Sequence, residues 1–319
     1  MKKSKFYILT IVLILIISAL SACSSPEVKA NEKTINPEDP IVLGSFVDTE
    51  GGILGNMVLL VLEKNGYAVT DKVQFGTPDV HRNALLQGEL DVGIDYTGNG
   101  QYYSEGSQES IWRDAKEGYN FIKEYDETNN GLIWLEPADA NNTEMLAVRK
   151  DFAEENNLKS LEDFADYLNG GGEVKFITSQ LFAEKNMGLL GMEEGYGFKL
   201  KPEQLIFLPH GNTAETISAL ANGTDGVNVA LVYGTDGSLP ELDLVVLEDP
   251  LSIPPVFEPS VIVRSEVLEK YPEIRKIIVD AFKTLNLENL QIMNKKVIVD
   301  GLSSKDVAKE YLMEQGLLD

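Results

Sequence analysis

Apolar residues fall in two rhythms that alternate along the chain. Ile41-Val42-Leu43-Gly44 is a short apolar run and reads as a strand. Ile53, Leu54, Met57, Leu60 and Val61 then recur at helical spacing as far as Lys64. Val73-Gln74-Phe75 reads as strand. A helix follows to Leu86, with Asp79 as candidate N-cap and Gly88 as its stop. Asp91–Asp95 is a third strand. A second block begins near Asn141, with a strand at Glu144–Val148 and helices at Asp151–Asn156 and Ser160–Leu168. It continues with a strand at Val174–Ile177, a helix at Thr213–Ala221 and a nearly continuous apolar strand at Val227–Tyr233. After Asp249 the character changes: a strand at Val261–Val263 precedes helices that begin at Ser265, Tyr271, Leu287 and Ser303. Repeated strand-helix-strand units predict an α/β fold with a largely parallel sheet. The segment 41–319 is too long for one small core and suits one large domain or two lobes.

Ligands of such folds sit beyond the carboxyl ends of strands. Two tyrosines fall there. Tyr96 opens the turn Tyr96-Thr97-Gly98-Asn99-Gly100, and Tyr233 opens Tyr233-Gly234-Thr235-Asp236-Gly237. One tyrosine alone would be a half-buried ring capping the core. Two matching turns in two blocks point to a cleft shared between lobes.

The chain begins Met1-Lys2-Lys3-Ser4-Lys5, continues with an uncharged apolar run from Phe6 to Leu20, and then reads Ser21-Ala22-Cys23. A basic start, a short apolar stretch and small residues before a cut describe a secretory signal. The run is short for a membrane span, which needs about 20 apolar residues; a signal anchor is the alternative. Cys23 is the only cysteine, so no disulfide partner exists for it. Leu20-Ser21-Ala22-Cys23 resembles a bacterial lipobox, which implies a diacylated Cys23 as first residue of an extracytoplasmic, membrane-anchored protein. Residues 1–22 are then the signal. Residues 23–40, polar and carrying Pro26, Pro37 and Pro40, form a flexible tether.

Charge narrows the partners. The chain has 51 acidic and 27 basic residues, a net charge of −24. Loss of a leader that carries Lys2, Lys3 and Lys5 and no acid deepens the imbalance. This argues against nucleic acid and anionic lipid as ligands and gives a field that attracts cations, although a charged face is usually just a solvated face. Catalytic signals are absent: there is no HExxH, CxxC, G-x-S-x-G or phosphate loop. His81 and His210 are the only histidines, and both read as solvated or structural. Gly170-Gly171-Gly172 leads into a strand and reads as a turn. No metal and no cofactor is expected.

The run Glu89–Asn99, containing Asp91-Val92-Gly93-Ile94-Asp95-Tyr96-Thr97-Gly98, resembles the osmoprotectant-binding proteins of ABC importers, which handle glycine betaine, choline and carnitine. The likeness extends to Asp48-Thr49-Glu50-Gly51, Asn141-Asn142-Thr143, Tyr196-Gly197-Phe198, Val229–Gly237 and Pro255-Val256-Phe257. It spans nearly all of 41–319. The resemblance implies the type II periplasmic-binding-protein fold, with two lobes over a ligand cleft: lobe 1 from 41–140 plus 246–319, lobe 2 from 141–245. It implies an aromatic cage for a quaternary ammonium, a cation held by the negative faces of rings at about 0.5–2 kcal/mol per contact. Tyr96 and Tyr233 match cage tyrosines. Phe257 stands where the family usually has another tyrosine. Thr97, Asn142, Thr49 and Glu50 fall in matching motifs as further ligand-binding residues.

Two departures stand out. Glu144 occupies a position where the family usually has Tyr or Trp. The arginine that many relatives carry just after the Phe182 position is missing, with Lys185 as the nearest substitute. Glu144 is expected either to face the ligand and bias the site toward ligands of net positive charge, or to point away from the cleft or pair with Arg149 or Lys185 and be neutral to selectivity. The implied partners are a small quaternary-ammonium ligand, ABC permease subunits and the membrane through the lipid. Another cationic amine in the same fold and a lipid-anchored hydrolase are the rival readings.

Overall fold

A computed structural model describes residues 39–105, 107–208 and 213–319. The signal, Cys23, nearly all of the tether and His210 lie outside them. Among the described residues no helix is long and apolar enough to cross a membrane.

Two five-stranded mixed sheets organise the molecule. The first has strand order β2-β1-β3-β10-β4, with β1 Ile41–Phe46, β2 Val69–Gly76, β3 Val92–Tyr96, β4 Leu132–Trp134 and β10 Pro259–Arg264. The second runs β7-β6-β8-β5-β9, with β5 Glu144–Arg149, β6 Phe176–Ser179, β7 Leu205–Leu208, β8 Val229–Tyr233 and β9 Leu244–Val246. Only half of the pairings are parallel. β1 runs parallel to β2 and β3, and β6 parallel to β7 and β8, but β10 and β5 run antiparallel to their neighbours. The expected largely parallel sheet is corrected for a topological reason: β5 begins, and β10 ends, the excursion of the chain through the second sheet. Leu247 and Ile253 still pack in the second core, with Phe164, Phe176, Phe182 and Leu231. The chain then returns to supply β10 to the first sheet.

Local chemistry sets several element ends. Helix α1, Thr49–Lys64, starts earlier than its apolar spacing shows, because the Asp48 carboxylate caps it by accepting from Gly51 N at 2.6 Å. Helix α2, Pro78–Gln87, is preceded by Thr77 rather than capped by Asp79, since proline suits the first helical position. Gly88 stops it in the left-handed conformation, φ 74°. Ser160 caps α3, Leu161–Asn169, reciprocally with Asp163.

Beneath the first sheet's site-bearing edge lies a buried polar network. Helix α4, Ala115–Asn129, was not legible in the apolar spacing; it brings in Asp126, which is fully buried. Arg82 grips Asp126 with two bonds, 2.7 and 2.5 Å, and Trp134 Nε1 donates to the same carboxylate at 2.6 Å. Arg82 also lies 4.3 Å from the ring centre of Tyr103, whose hydroxyl donates to Asp95 Oδ2 at 2.9 Å. Asp95 Oδ1 accepts from Tyr96 N and Asn99 Nδ2, both at 2.7 Å. The chain of contacts thus ends on the Tyr96 turn. Asp126→Ala would strand a buried guanidinium, and is expected to cost about 3–5 kcal/mol. Chemical denaturation measures this; a loss under about 1 kcal/mol would show that the pair contributes little.

Candidate functional site

Strand ends from both sheets converge on one cleft. On the first sheet's side are Asp48, Thr49 and Glu50, just after β1, and Tyr96 and Thr97 at the end of β3. On the second are Tyr233, the last residue of β8, and Glu144, the first of β5, directly opposite each other in the ladder. Between them pass the two crossing segments. Asn142 N donates to Phe257 O at 2.9 Å, Thr143 Oγ1 to Pro255 O at 2.7 Å, and Phe257 N to Asn141 Oδ1 at 2.9 Å. Thr97 ties this crossing to the first sheet: its N donates to Glu258 O at 3.0 Å and its hydroxyl accepts from Glu258 N at 3.1 Å. Gly234 N donates to Thr143 O at 2.9 Å. A Cβ at Gly234 would lie 2.2 Å from Asn141 O, so only glycine permits that approach.

Glu50 is the hub. It is 6% exposed. Its Oε1 accepts from the Tyr96 hydroxyl at 2.7 Å and, more distantly, from Asn142 Nδ2 at 3.4 Å. Its Oε2 accepts from Asn294 Nδ2 at 2.6 Å. Thr235 donates to Asn142 Oδ1 at 2.8 Å, and Asn294 also donates to Thr235 O at 3.0 Å. Burial pushes the Glu50 carboxyl up to about 7, the hydrogen-bonding groups of Thr235, Tyr96 and Asn294 around it pull the other way, and Asp48 adds to the rise. Asp48 itself is solvent-exposed, yet protein crowds its carboxyl enough that desolvation raises it. A group in a cleft wall meets both conditions.

The second wall carries a different arrangement. Glu144, 7% exposed, lies 2.6 Å from Lys185 Nζ. The expected pairing is therefore with Lys185; Arg149 instead contacts Asp151 at 3.4 Å. Burial raises the Tyr233 hydroxyl, and the charges of Glu144, Asp236 and Asp48 add to it, so Tyr233 faces acids from both walls. Lys185 also meets the Tyr102 hydroxyl of the opposite wall. The loop it begins reaches further across. Asn186 Nδ2 donates to Glu109 Oε1 at 3.3 Å, and Met187, 6% exposed, is buried in the first core with Leu85, Trp112 and Trp134.

The structure thus joins Glu50, Tyr96 and Asn142 in one network, attaches Thr97 and Phe257 to its crossing segments, and sets Glu144 beside Tyr233. Thr49 is half-buried in the first turn of α1, next to the Asp48 cap. Sequence reasoning missed Asn294. It lies in helix α5, Leu287–Ile298, beside Leu290 and Met293 on the buried face. A lone amide in an apolar helical face was the available signal. His81 is fully buried and packs edge-on to Phe46 at 5.1 Å, so it is structural and not solvated. No group of three or more His, Cys, Asp or Glu suited to a metal occurs among the described residues.

Two α/β lobes around a cleft of strand-end residues define a bilobal binding protein. Residues 39–314 match the family described as the substrate binding domain of ABC-type glycine betaine transport system, and the chain belongs to that family. It is similar to the glycine betaine-binding protein YehZ of Escherichia coli (strain K12), 44% identical over 277 residues that cover 87% of this chain and 91% of that one. A glycine-betaine-binding protein of Pseudomonas aeruginosa is 31% identical over 283 residues, covering 87% and 88%. The solved structure of apo YehZ from Escherichia coli superposes with a TM-score of 0.73, covering 88% of this chain and 99% of that one.

The Glu50 environment has a pH signature. Its folded value near 7 lies above the ordinary 4.5. The folded state therefore binds more protons between those values, and this group's stabilising share is full below about 4.5 and is lost as pH rises through about 7. Asp95 and Asp236, each raised to about 6 chiefly by burial, act with the same sign. Glu50→Gln is expected to flatten the dependence of Tm on pH across that window. A slope equal to wild type would show that Glu50 titrates in its ordinary range.

Proposed function

We propose that this chain is the extracytoplasmic ligand-binding component of an ABC importer, that it takes a small quaternary-ammonium osmoprotectant of the glycine betaine or choline type, and that it hands this ligand to membrane permease subunits. The observation that carries the reading is the pairing of two tyrosines at strand ends with an acid-rich cleft. Asp48, Glu50, Glu144 and Asp236 all lie around Tyr96 and Tyr233. A quaternary ammonium donates no strong hydrogen bond, so aromatic faces and surrounding negative charge are what can hold it. In this reading Tyr96, Tyr233 and Phe257 form the cage. Glu50 holds Tyr96 in place by its hydroxyl, and Asn142 and Thr97 fix the crossing segments behind it. The membership of the family and the binding proteins it resembles support a carrier rather than an enzyme.

The chain's division follows. Residues 1–22 are a cleaved signal, 23–40 a tether from lipidated Cys23, and the lobes are 41–140 plus 246–319, and 141–245, with the boundary on the return extended toward residue 254 by the packing of Ile253. Metabolic labelling with a fatty acid tests the anchor: label on wild type and its loss in Cys23→Ala is expected, and equal label on both would place the lipid elsewhere.

Calorimetry with glycine betaine and with choline tests the site. Tyr233→Ala is expected to weaken binding by about tenfold or more, because a desolvated ring contact and its packing disappear together. Tyr233→Phe keeps the face and is expected to bind within a few-fold of wild type. Undiminished binding by Tyr233→Ala would remove Tyr233 from the cage.

A further inference from the structure

The second wall of the cleft carries its own salt. Lys185 Nζ and Glu144 Oε2 are 2.6 Å apart, with side chains 16% and 9% exposed. Glu144 is placed by the ladder, opposite Tyr233 at the end of β5. Lys185 is placed by its neighbours: a Cβ at Gly188 would fall 2.8 Å from Lys185 Cγ and 2.4 Å from Phe182 O, so the lysine stem lies in the space that glycine leaves. The ammonium then meets an acid of its own wall and the Tyr102 hydroxyl of the other. A charge pair this withdrawn from water is screened little by solvent or salt.

We propose that Glu144 is a built-in competitor for the anionic end of a zwitterionic ligand, so that the Glu144–Lys185 pair selects quaternary ammonium compounds lacking a carboxylate, such as choline, over glycine betaine. This rests on the reading of the cleft as a quaternary-ammonium site. A lysine is one compact point charge, unlike the two-pronged guanidinium that can serve a carboxylate with parallel bonds. While Glu144 holds it, an arriving carboxylate must share the ammonium with a like charge or go without a partner. Choline, which ends in a hydroxyl, meets neither difficulty. Removing the acid frees the lysine for the ligand. Removing the lysine leaves an uncompensated acid beside Tyr233, which favours cations and repels zwitterions at the carboxylate end.

Calorimetry with three probes decides it: tetramethylammonium, which tests the cage alone, choline, and glycine betaine. Wild type is expected to bind choline more tightly than glycine betaine. In Glu144→Gln the ratio of betaine to choline affinity is expected to rise about tenfold or more, roughly the worth of one charged contact in a partly dry cleft. In Lys185→Met the ratio is expected to fall. Glu144→Ala gives the same reading as Glu144→Gln should the amide fail to fold. If tetramethylammonium binds, and either the ratio is unmoved in these variants or wild type favours betaine, the selectivity of the pair is overturned while the cage stands. If no protein binds any of the three probes, the cage is overturned and this inference with it.

Discussion

A carboxylate almost out of contact with water must be surrounded by donors or give up its charge. Glu50 is placed under that constraint, and the site is arranged around meeting it. Its donors come from three places that are far apart in sequence, Tyr96 at the end of β3, Asn142 on the first crossing segment and Asn294 on the penultimate helix, and Thr235 after β8 joins them by donating to Asn142. Each is thereby fixed relative to the others. Tyr96 is further held from below, where Asp95 passes the constraint through Tyr103 and Arg82 to Asp126. The ring is therefore anchored at its hydroxyl and at its backbone before any ligand arrives, which is how a binding surface avoids an ordering cost on association.

The alternation of strands and helices was legible where an element is strongly apolar: β1 and β8 are short apolar runs buried on both faces, and α1 is a long apolar helix buried nearly all round. It failed where an element is half-exposed or short. β7, with Phe207 exposed at the sheet edge, lacks a strong alternation, and β4 and β9 have three residues each. α4 escaped because its buried face mixes Gly118, Ile122 and Asp126, and a buried aspartate reads as surface until its arginine is known. At the site, Tyr96 and Tyr233 were visible from their strand-end positions. Asn294 was not, since its partner Glu50 is 244 residues away, and no local pattern encodes contact at that separation. Sequence offered Arg149 and Lys185 as partners only in case Glu144 were paired at all, and the fold chose Lys185.

The two walls treat their acids differently, and this shapes the field in the cleft. Glu50 is satisfied by neutral donors and keeps whatever charge its surroundings allow. Glu144 is balanced by an ammonium. Asp48 remains open to solvent, and Asp236 adds a further acid to the second wall beside Tyr233. A small cation entering therefore meets acids on both walls.

Met187 belongs by chain to the half built on the second sheet, yet its side chain lies in the core of the first. Separating the halves would return it to water. Keeping a methionine out of water is worth about 1.5–3 kcal/mol, so this one side chain acts as a peg that helps hold the two halves together.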